Sequence, residues 1–165
     1  MRKLIVNEYK GVGNSLCQWY RIKNPFRVIL NFLIIYTCRY LPSLRVKNFL
    51  YRAIGIKLGR NVSVGLGVIF DIFFPELIEI GDNSLIGYNT TILTHEFLIN
   101  EWRKGPVKIG KSVMIGANCL ILPGVEVGDN ATVSAFSLVN KNVQKDSFVG
   151  GIPVKPIYKT MRQGR

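Results

Sequence analysis

The chain has 165 residues, enough for one continuous hydrophobic core with an attached segment, and a net charge of +12. Its three cysteines, Cys17, Cys38 and Cys119, are an odd set without metal or redox spacing, which argues against a thiol centre and suits a reducing cytoplasm. Residues 1–60 hold twelve Lys and Arg against the single Glu8, a net of +11, and the remainder ten against nine, so the basic segment points to an acidic partner.

Met1 to Ser15 is polar, basic and without a period, and reads as a flexible arm. It is not a signal peptide, because no apolar core is followed by a small-residue cleavage site. Pro25 to Leu41 turns apolar, with Asn24 as N-cap and Pro25 at the first helical position. Its unbroken apolar run falls short of the ~20 residues that span a bilayer, and Arg27, Asn31 and Arg39 interrupt or flank it. Pro42 opens a second predicted helix reaching Ile54, in which Leu44, Phe49, Leu50 and Ile54 share a face while Arg45, Lys47 and Arg52 stay in water. Two basic amphipathic helices suit peripheral contact of residues 1–54 with an anionic membrane. They equally suit a cap on the end of the domain that follows, and the two roles are compatible. No nucleic-acid motif accompanies the basic residues, so nucleic acid is not an expected partner.

From Ile56 to Asn142 an aliphatic residue returns at every sixth position: Leu58, Val64 and Phe70; Ile80, Ile86 and Ile92; then Ile109, Ile115, Ile121, Val127, Val133 and Val139. Gly follows it at Gly59, Gly65, Gly81, Gly87, Gly110, Gly116 and Gly128, where a corner would need positive φ. The site two residues earlier is small or β-branched, as in Val62, Ser84, Thr90, Val113, Cys119 and Ala131, and two positions apart on a strand point the same way. Short parallel strands separated by corners therefore stack into a solenoid with three faces per turn. Two excursions break the period: a short one over Asp71 to Leu77, and a larger one over His95 to Pro106, where function tends to reside. The chain divides into a basic arm with helices (1–55), the solenoid (56–157) and a basic tail (158–165).

These hexads resemble the hexapeptide-repeat acyltransferases over roughly residues 56–157, and within them the maltose and galactoside O-acetyltransferases. The resemblance implies a mainly β fold, a left-handed parallel β-helix of triangular section, with the N-terminal helical segment attached. Its left hand runs against the usual right-handed crossover and comes from the resemblance alone. It also implies a homotrimer in which the histidine loop of one subunit faces the coils of the next, with acetyl-CoA as acyl donor and no metal. The same prism serves γ-class carbonic anhydrases, but these need three zinc-binding histidines and this chain has one.

That one is His95, at the threshold of the large excursion in Thr94-His95-Glu96. An imidazole can take a proton from a hydroxyl at neutral pH, as acyl transfer to an alcohol requires. The family carries its catalytic base as a histidine at this place, so the resemblance assigns His95 as general base in a direct ternary complex. Gly116 or Ala117 is the expected backbone donor to the oxyanion. The coenzyme groove maps by resemblance onto Gly116, Ala117, Ala135, Asn140 and Lys141. The family's closing segment, Gly-Asn-Pro-Ala-Lys/Arg, is matched by Gly151-Ile152-Pro153-Val154-Lys155, so Lys155 falls at the phosphate position. Ile152 in place of Asn, and Asn140 in place of the usual Thr, depart from the pattern.

Asp71 corresponds to an acidic residue that sugar-acetylating relatives hold near the acceptor hydroxyls. Glu96 and Glu101 read as solvated loop acids or as orienters of the imidazole, and Trp102 and Arg103 as acceptor contacts. The expectation is an acetyl-CoA-dependent O-acetyltransferase acting on a sugar or surface-glycan precursor, cytoplasmic and at the inner face of the membrane. The competing reading from another class is a non-catalytic hexapeptide scaffold docked at that surface.

Overall fold

The computed structural model describes residues 2–157, and the basic tail at 158–165 lies outside them. The hexads form three parallel sheets that wrap one core. The first face stacks Lys57–Leu58, Ile78–Ile80, Val107–Ile109 and Glu126–Val127. The second stacks Ser63–Val64, Leu85–Ile86, Met114–Ile115 and Thr132–Val133, and is closed by Phe148–Gly150 and the antiparallel Lys155–Pro156. The third stacks Ile69–Phe70, Thr91–Ile92, Leu120–Ile121 and Leu138–Val139. Register holds the aliphatics in columns: Leu58 beside Ile80, Val64 beside Ile86, Phe70 beside Ile92.

Apart from Leu58, which is half-buried, the repeat aliphatics are sealed from water, as are Val62, Ser84, Thr90, Val113, Cys119 and Ala131 two positions before them. Each buried aliphatic is worth about 1.5–3 kcal/mol. The polar members of the inner column close on backbone: Ser84 Oγ donates to the Gly110 carbonyl (2.7 Å) and Thr90 Oγ1 to that of Gly116 (2.9 Å).

The corner glycines act otherwise than expected. Positive φ falls on none of the seven glycines that follow the repeat aliphatic; it falls two residues later, on Asn61, Asn83, Asn89, Asn118 and Asn130, a residue type that tolerates the left-handed region, and on Gly67 and Ser112. The repeat glycines instead permit close stacking of one coil on the next. A Cβ on Gly116 would stand 2.4 Å from the Ala135 amide nitrogen, and one on Gly81 2.7 Å from the Gly110 carbonyl carbon.

The N-terminal segment departs further from its expectation. Ile5–Glu8 is a strand, paired antiparallel with Glu101–Lys104, which itself pairs with His95–Phe97. The large excursion is thus a hairpin whose free edge the arm covers, satisfying amides and carbonyls that would otherwise lie bare. The Lys3 amide donates to the Gly124 carbonyl (2.8 Å), fastening the arm to the coils as well. A short helix α1 (Trp19–Ile22) leads to α2 (Pro25–Tyr40), where Asn24 Oδ1 accepts from the amides of Phe26 and Arg27. Helix α3 spans Leu44–Ala53, so Pro42 precedes the helix instead of opening it.

The buried face of α3 is only in part the apolar one predicted: Ile54 is in the core and Leu50 packs against it. Lys47 is 1% exposed, whereas Leu44 and Phe49 are 43% and 70% exposed. Lys47 Nζ donates to the carbonyls of Val64 (2.8 Å) and Gly65 (2.7 Å), Asn48 Nδ2 to that of Val62 (2.8 Å), and Arg52 to those of Leu58 and Gly59. The first coil has no strand beneath it, and this helix supplies the missing donors. Burial pushes the Lys47 ammonium below its usual range, with the nearby Cys38 opposing.

Candidate active site

The chain leaves the prism after Thr91–Ile92, at the corner between the third and first faces, and His95 opens the hairpin there. One coil below, Asp71 follows Phe70 at the same corner, since Phe70 and Ile92 are register partners. The Asp71 carboxylate is wholly buried, and both oxygens are engaged. Oδ1 accepts from the amides of Phe73 (2.8 Å) and Phe74 (3.1 Å); Oδ2 accepts from the amides of Thr94 (2.8 Å) and His95 (3.1 Å) and from His95 Nδ1 (2.5 Å). Thr94 Oγ1 donates to the Phe74 carbonyl (2.9 Å), locking the two excursions together.

Burial acts to raise the Asp71 pKa, but the hydrogen bond and charge of His95, with the amides of Thr94 and Phe74, outweigh it and hold the carboxyl below the ordinary range. A carboxylate facing Nδ1 fixes that nitrogen as a donor, which leaves Nε2 with the lone pair. The ring is wedged by aromatic edges, Phe97 at 4.6 Å, Phe73 at 4.7 Å and Phe74 at 6.1 Å between centroids, and its side chain is 14% exposed. One orientation of the imidazole is thereby enforced from below by a charge and from the sides by packing.

Asp71 therefore has no oxygen to spare for an acceptor hydroxyl, contrary to the expectation placed on it. Neither loop acid orients the imidazole: Glu96 pairs with Arg2 (2.6 Å) and faces Arg103, and Glu101 also pairs with Arg103. Trp102 stacks flat on Phe74 at 5.9 Å and belongs to the packing of the hairpin. Asp71 as orienter was missed because its partner is 24 positions away in sequence; the available signal was a carboxylate at the corner one coil below the break that His95 opens.

The predicted coenzyme residues fall into two sets. Gly116, Ala117 and Ala135 stack at the corner between the second and third faces, where the Phe136 amide donates to the Ala117 carbonyl (2.9 Å). Lys155 is exposed in the strand that closes the second face, two strands beyond Thr132–Val133. Asn140 and Lys141 follow Leu138–Val139 and so stand on the His95 edge, above it. Asn140 Oδ1 is buried and has no partner among the described residues. The Gly116 amide is committed to the Val133 carbonyl (2.8 Å) and is not available to an oxyanion, whereas among the described residues the Ala117 amide donates to no acceptor. Small residues thus line one edge and the histidine another, and one chain alone does not bring them together. A groove of about 890 Å³ runs along the first face between Lys57, Glu79, Lys108 and Glu126, and neither His95 nor Asp71 lines it.

The model of the bacterial transferase hexapeptide, six repeats, matches residues 106–141. "Putative acetyltransferase YvoF" of Bacillus subtilis (strain 168) is 50% identical over 96% of this chain and 92% of its own length. The chain belongs to the hexapeptide-repeat acetyltransferases. Galactoside O-acetyltransferase of Escherichia coli (strain K12) is 34% identical over 62% of this chain and 53% of its own length. Among solved structures, a maltose O-acetyltransferase from Clostridium difficile 630 superposes with a TM-score of 0.65 at 21% identity, covering 89% of this chain and 91% of that one. The hexapeptide-repeat acetyltransferase VCA0836 of Vibrio cholerae in complex with acetyl coenzyme A superposes at 0.62 with 21% identity, covering 81% and 86%. The fold is accordingly a left-handed parallel β-helix carrying an N-terminal helical segment.

Proposed function

We propose that this acetyltransferase moves an acetyl group from acetyl-CoA to a hydroxyl of a sugar or surface-glycan precursor, with His95 as general base. The observation that carries the reading is the buried Asp71 carboxylate on His95 Nδ1, which leaves Nε2 as the basic atom and holds the ring in one orientation. The acceptor hydroxyl gives its proton to Nε2 as its oxygen bonds to the thioester carbon. The carbonyl electrons move to oxygen, and the Ala117 amide donates to that oxyanion. When the tetrahedral adduct collapses, the carbon–sulfur bond breaks and the proton held on Nε2 passes to the leaving thiolate, giving an acetyl ester and free coenzyme A. Asp71 stays ionised throughout and stabilises the imidazolium. General-base catalysis of this kind supplies about 10²–10⁴ in rate.

In this reading the donor lies along the edge of Gly116, Ala117 and Ala135, small residues that let a pantetheine arm approach the backbone, and Lys155 meets a phosphate. Because that edge and the His95 edge are distinct on one chain, the working site is formed between subunits of a homotrimer. Asn140 and Lys141 then line the cleft from the histidine side. The protein is cytoplasmic and works at the inner face of a membrane. The relatives named for O-acetylation of galactosides and maltose support a saccharide acceptor.

The test is thiol release from acetyl-CoA with a panel of saccharide acceptors, alongside coenzyme binding. Wild type should release thiol with at least one acceptor, and His95→Ala should lose that release while still binding coenzyme A. Release by His95→Ala at the wild-type rate would overturn the assignment of the base; coenzyme binding by neither protein would favour a scaffold without chemistry.

A further inference from the structure

Helix α2 turns its better apolar face to solvent. Val28, Asn31, Ile35 and Cys38, three or four residues apart, form the buried side. The opposite side carries Phe26, Ile29, Leu33, Tyr36 and Tyr40 at the same spacing, flanked by Leu30 and Phe32, and all seven are exposed, Phe26 at 84% and Tyr40 at 71%. A polar asparagine faces the protein while an unbroken aromatic and aliphatic stripe faces out, the reverse of an ordinary surface helix. On neighbouring α3, Leu44, Val46 and Phe49 are exposed as well. Contiguous apolar surface of this kind marks an interaction site.

The charges around the stripe are of one sign. Arg27, exposed, and Arg39, half-buried, sit on its two shoulders, Arg45 is exposed on α3, and no acidic residue occurs between Glu8 and Asp71 in the sequence. Two copies of this chain meeting through the stripe would bring arginines against arginines. A bilayer with anionic headgroups offers the complement to both features, apolar depth for the stripe and negative charge for its rim. The helix has 16 residues, roughly 24 Å at 1.5 Å each, and no helix among the described residues is long and apolar enough to cross a membrane. Its other side is fixed to the prism through Asn31, whose Nδ2 donates to the Ile72 carbonyl (2.8 Å), and through Ile35 and Cys38 in the core.

We propose that α2 lies flat in the interfacial layer of an anionic membrane, its stripe of Phe26, Ile29, Leu33, Tyr36 and Tyr40 sunk among the acyl chains and its arginines at the headgroups. This deepens the reading of a membrane-face enzyme by naming the surface, and it does not depend on the chemistry assigned to His95. It has a geometric consequence: Val28, on the inner side of α2, shares a cluster with Phe73 and Phe74, whose rings abut His95. Docking through α2 therefore holds the histidine hairpin next to the bilayer, where an acceptor on a lipid carrier would present its sugar.

The experiment is flotation of the full-length protein with vesicles of equimolar phosphatidylcholine and phosphatidylglycerol, and with phosphatidylcholine alone. Wild type should float with the anionic vesicles, less so at high salt, and weakly with the neutral ones. The pair Ile29→Glu and Leu33→Glu, at residues more than half exposed, should weaken partitioning at least about tenfold. The pair Arg27→Gln and Arg45→Gln should weaken it on anionic vesicles only, by about fivefold or more. Coenzyme binding by both variants shows that they fold, and sedimentation equilibrium reports their oligomeric state. Flotation of the Glu pair at the wild-type level would overturn the proposal. So would a change in oligomeric state of that pair, which would make the stripe a contact between copies. His95→Ala should float as wild type does, so a failure of the chemistry and a failure of the docking surface give different results.

Discussion

Replacing Asp71 by Asn tests the link between the prism corner and the base. The substitution is nearly isosteric, but one oxygen becomes an NH₂ group that must face donors whichever way the amide turns. If it turns toward Phe73 and Phe74, two amides lose their acceptor; if it turns toward Thr94 and His95, two amides and Nδ1 do. Each buried donor left unsatisfied costs about 1–3 kcal/mol, so the milder orientation is expected and a loss of about 2–6 kcal/mol in unfolding free energy should follow. In that orientation the side-chain oxygen still meets Nδ1, but without charge. A hydrogen bond to a charged group is worth about 1.5–3 kcal/mol, and the imidazolium that forms in the transition state no longer gains it. At about 1.4 kcal/mol per decade, turnover should fall roughly 10- to 150-fold. The assay is thiol release under saturating acetyl-CoA, with KM for acetyl-CoA and urea denaturation measured on the same preparation. Turnover within about threefold of wild type, in a protein whose His95→Ala variant is inactive, would refute the claim that Asp71 acts through the imidazole.

Three further outcomes follow from the same geometry. Because the folded Asp71 pKa lies below its unfolded value, its stabilisation is present above about pH 4 and is lost as pH falls through the folded value; the stability gap between wild type and Asp71→Asn, from urea melts, should therefore narrow as pH falls below about 4. Lys47→Met keeps the volume of the side chain but leaves the Val64 and Gly65 carbonyls without their buried donor, and should cost about 2–4 kcal/mol, whereas the exposed Arg45→Ala should stay within about 0.5 kcal/mol; equal losses would show that α3 does not cap the coil by hydrogen bonding. Lys155→Ala should raise KM for acetyl-CoA a few-fold, by about one charge contact at an exposed site, with turnover unchanged and the difference shrinking at high salt.

The solenoid was legible because every coil solves the same packing problem. A period of six with an aliphatic and a small residue two positions apart admits only stacked short strands, and each such position except half-buried Leu58 proved buried. The N-cap at Asn24 and the placement of His95 at a break in the coils were local and equally readable. What the chain does at its first coil was not, because Lys47 is buried by donating to carbonyls that no strand below donates to; by composition alone it is a solvated lysine. The arm was misread as flexible for the same reason, since four residues of strand have meaning only beside the hairpin edge they cover.

Asp71 shows where the division lies. Sequence periodicity determined that the residue after Phe70 sits at a corner, and that His95 begins an excursion from the next coil of the same face. Whether that carboxylate looked outward to an acceptor or inward to the imidazole was decided by the stacking register, which sets Phe70 against Ile92 and so brings the two excursions into hydrogen-bonding distance. Periodicity is a property of neighbours along the chain; the orientation of a buried charge is fixed by whichever groups the fold delivers to it from elsewhere.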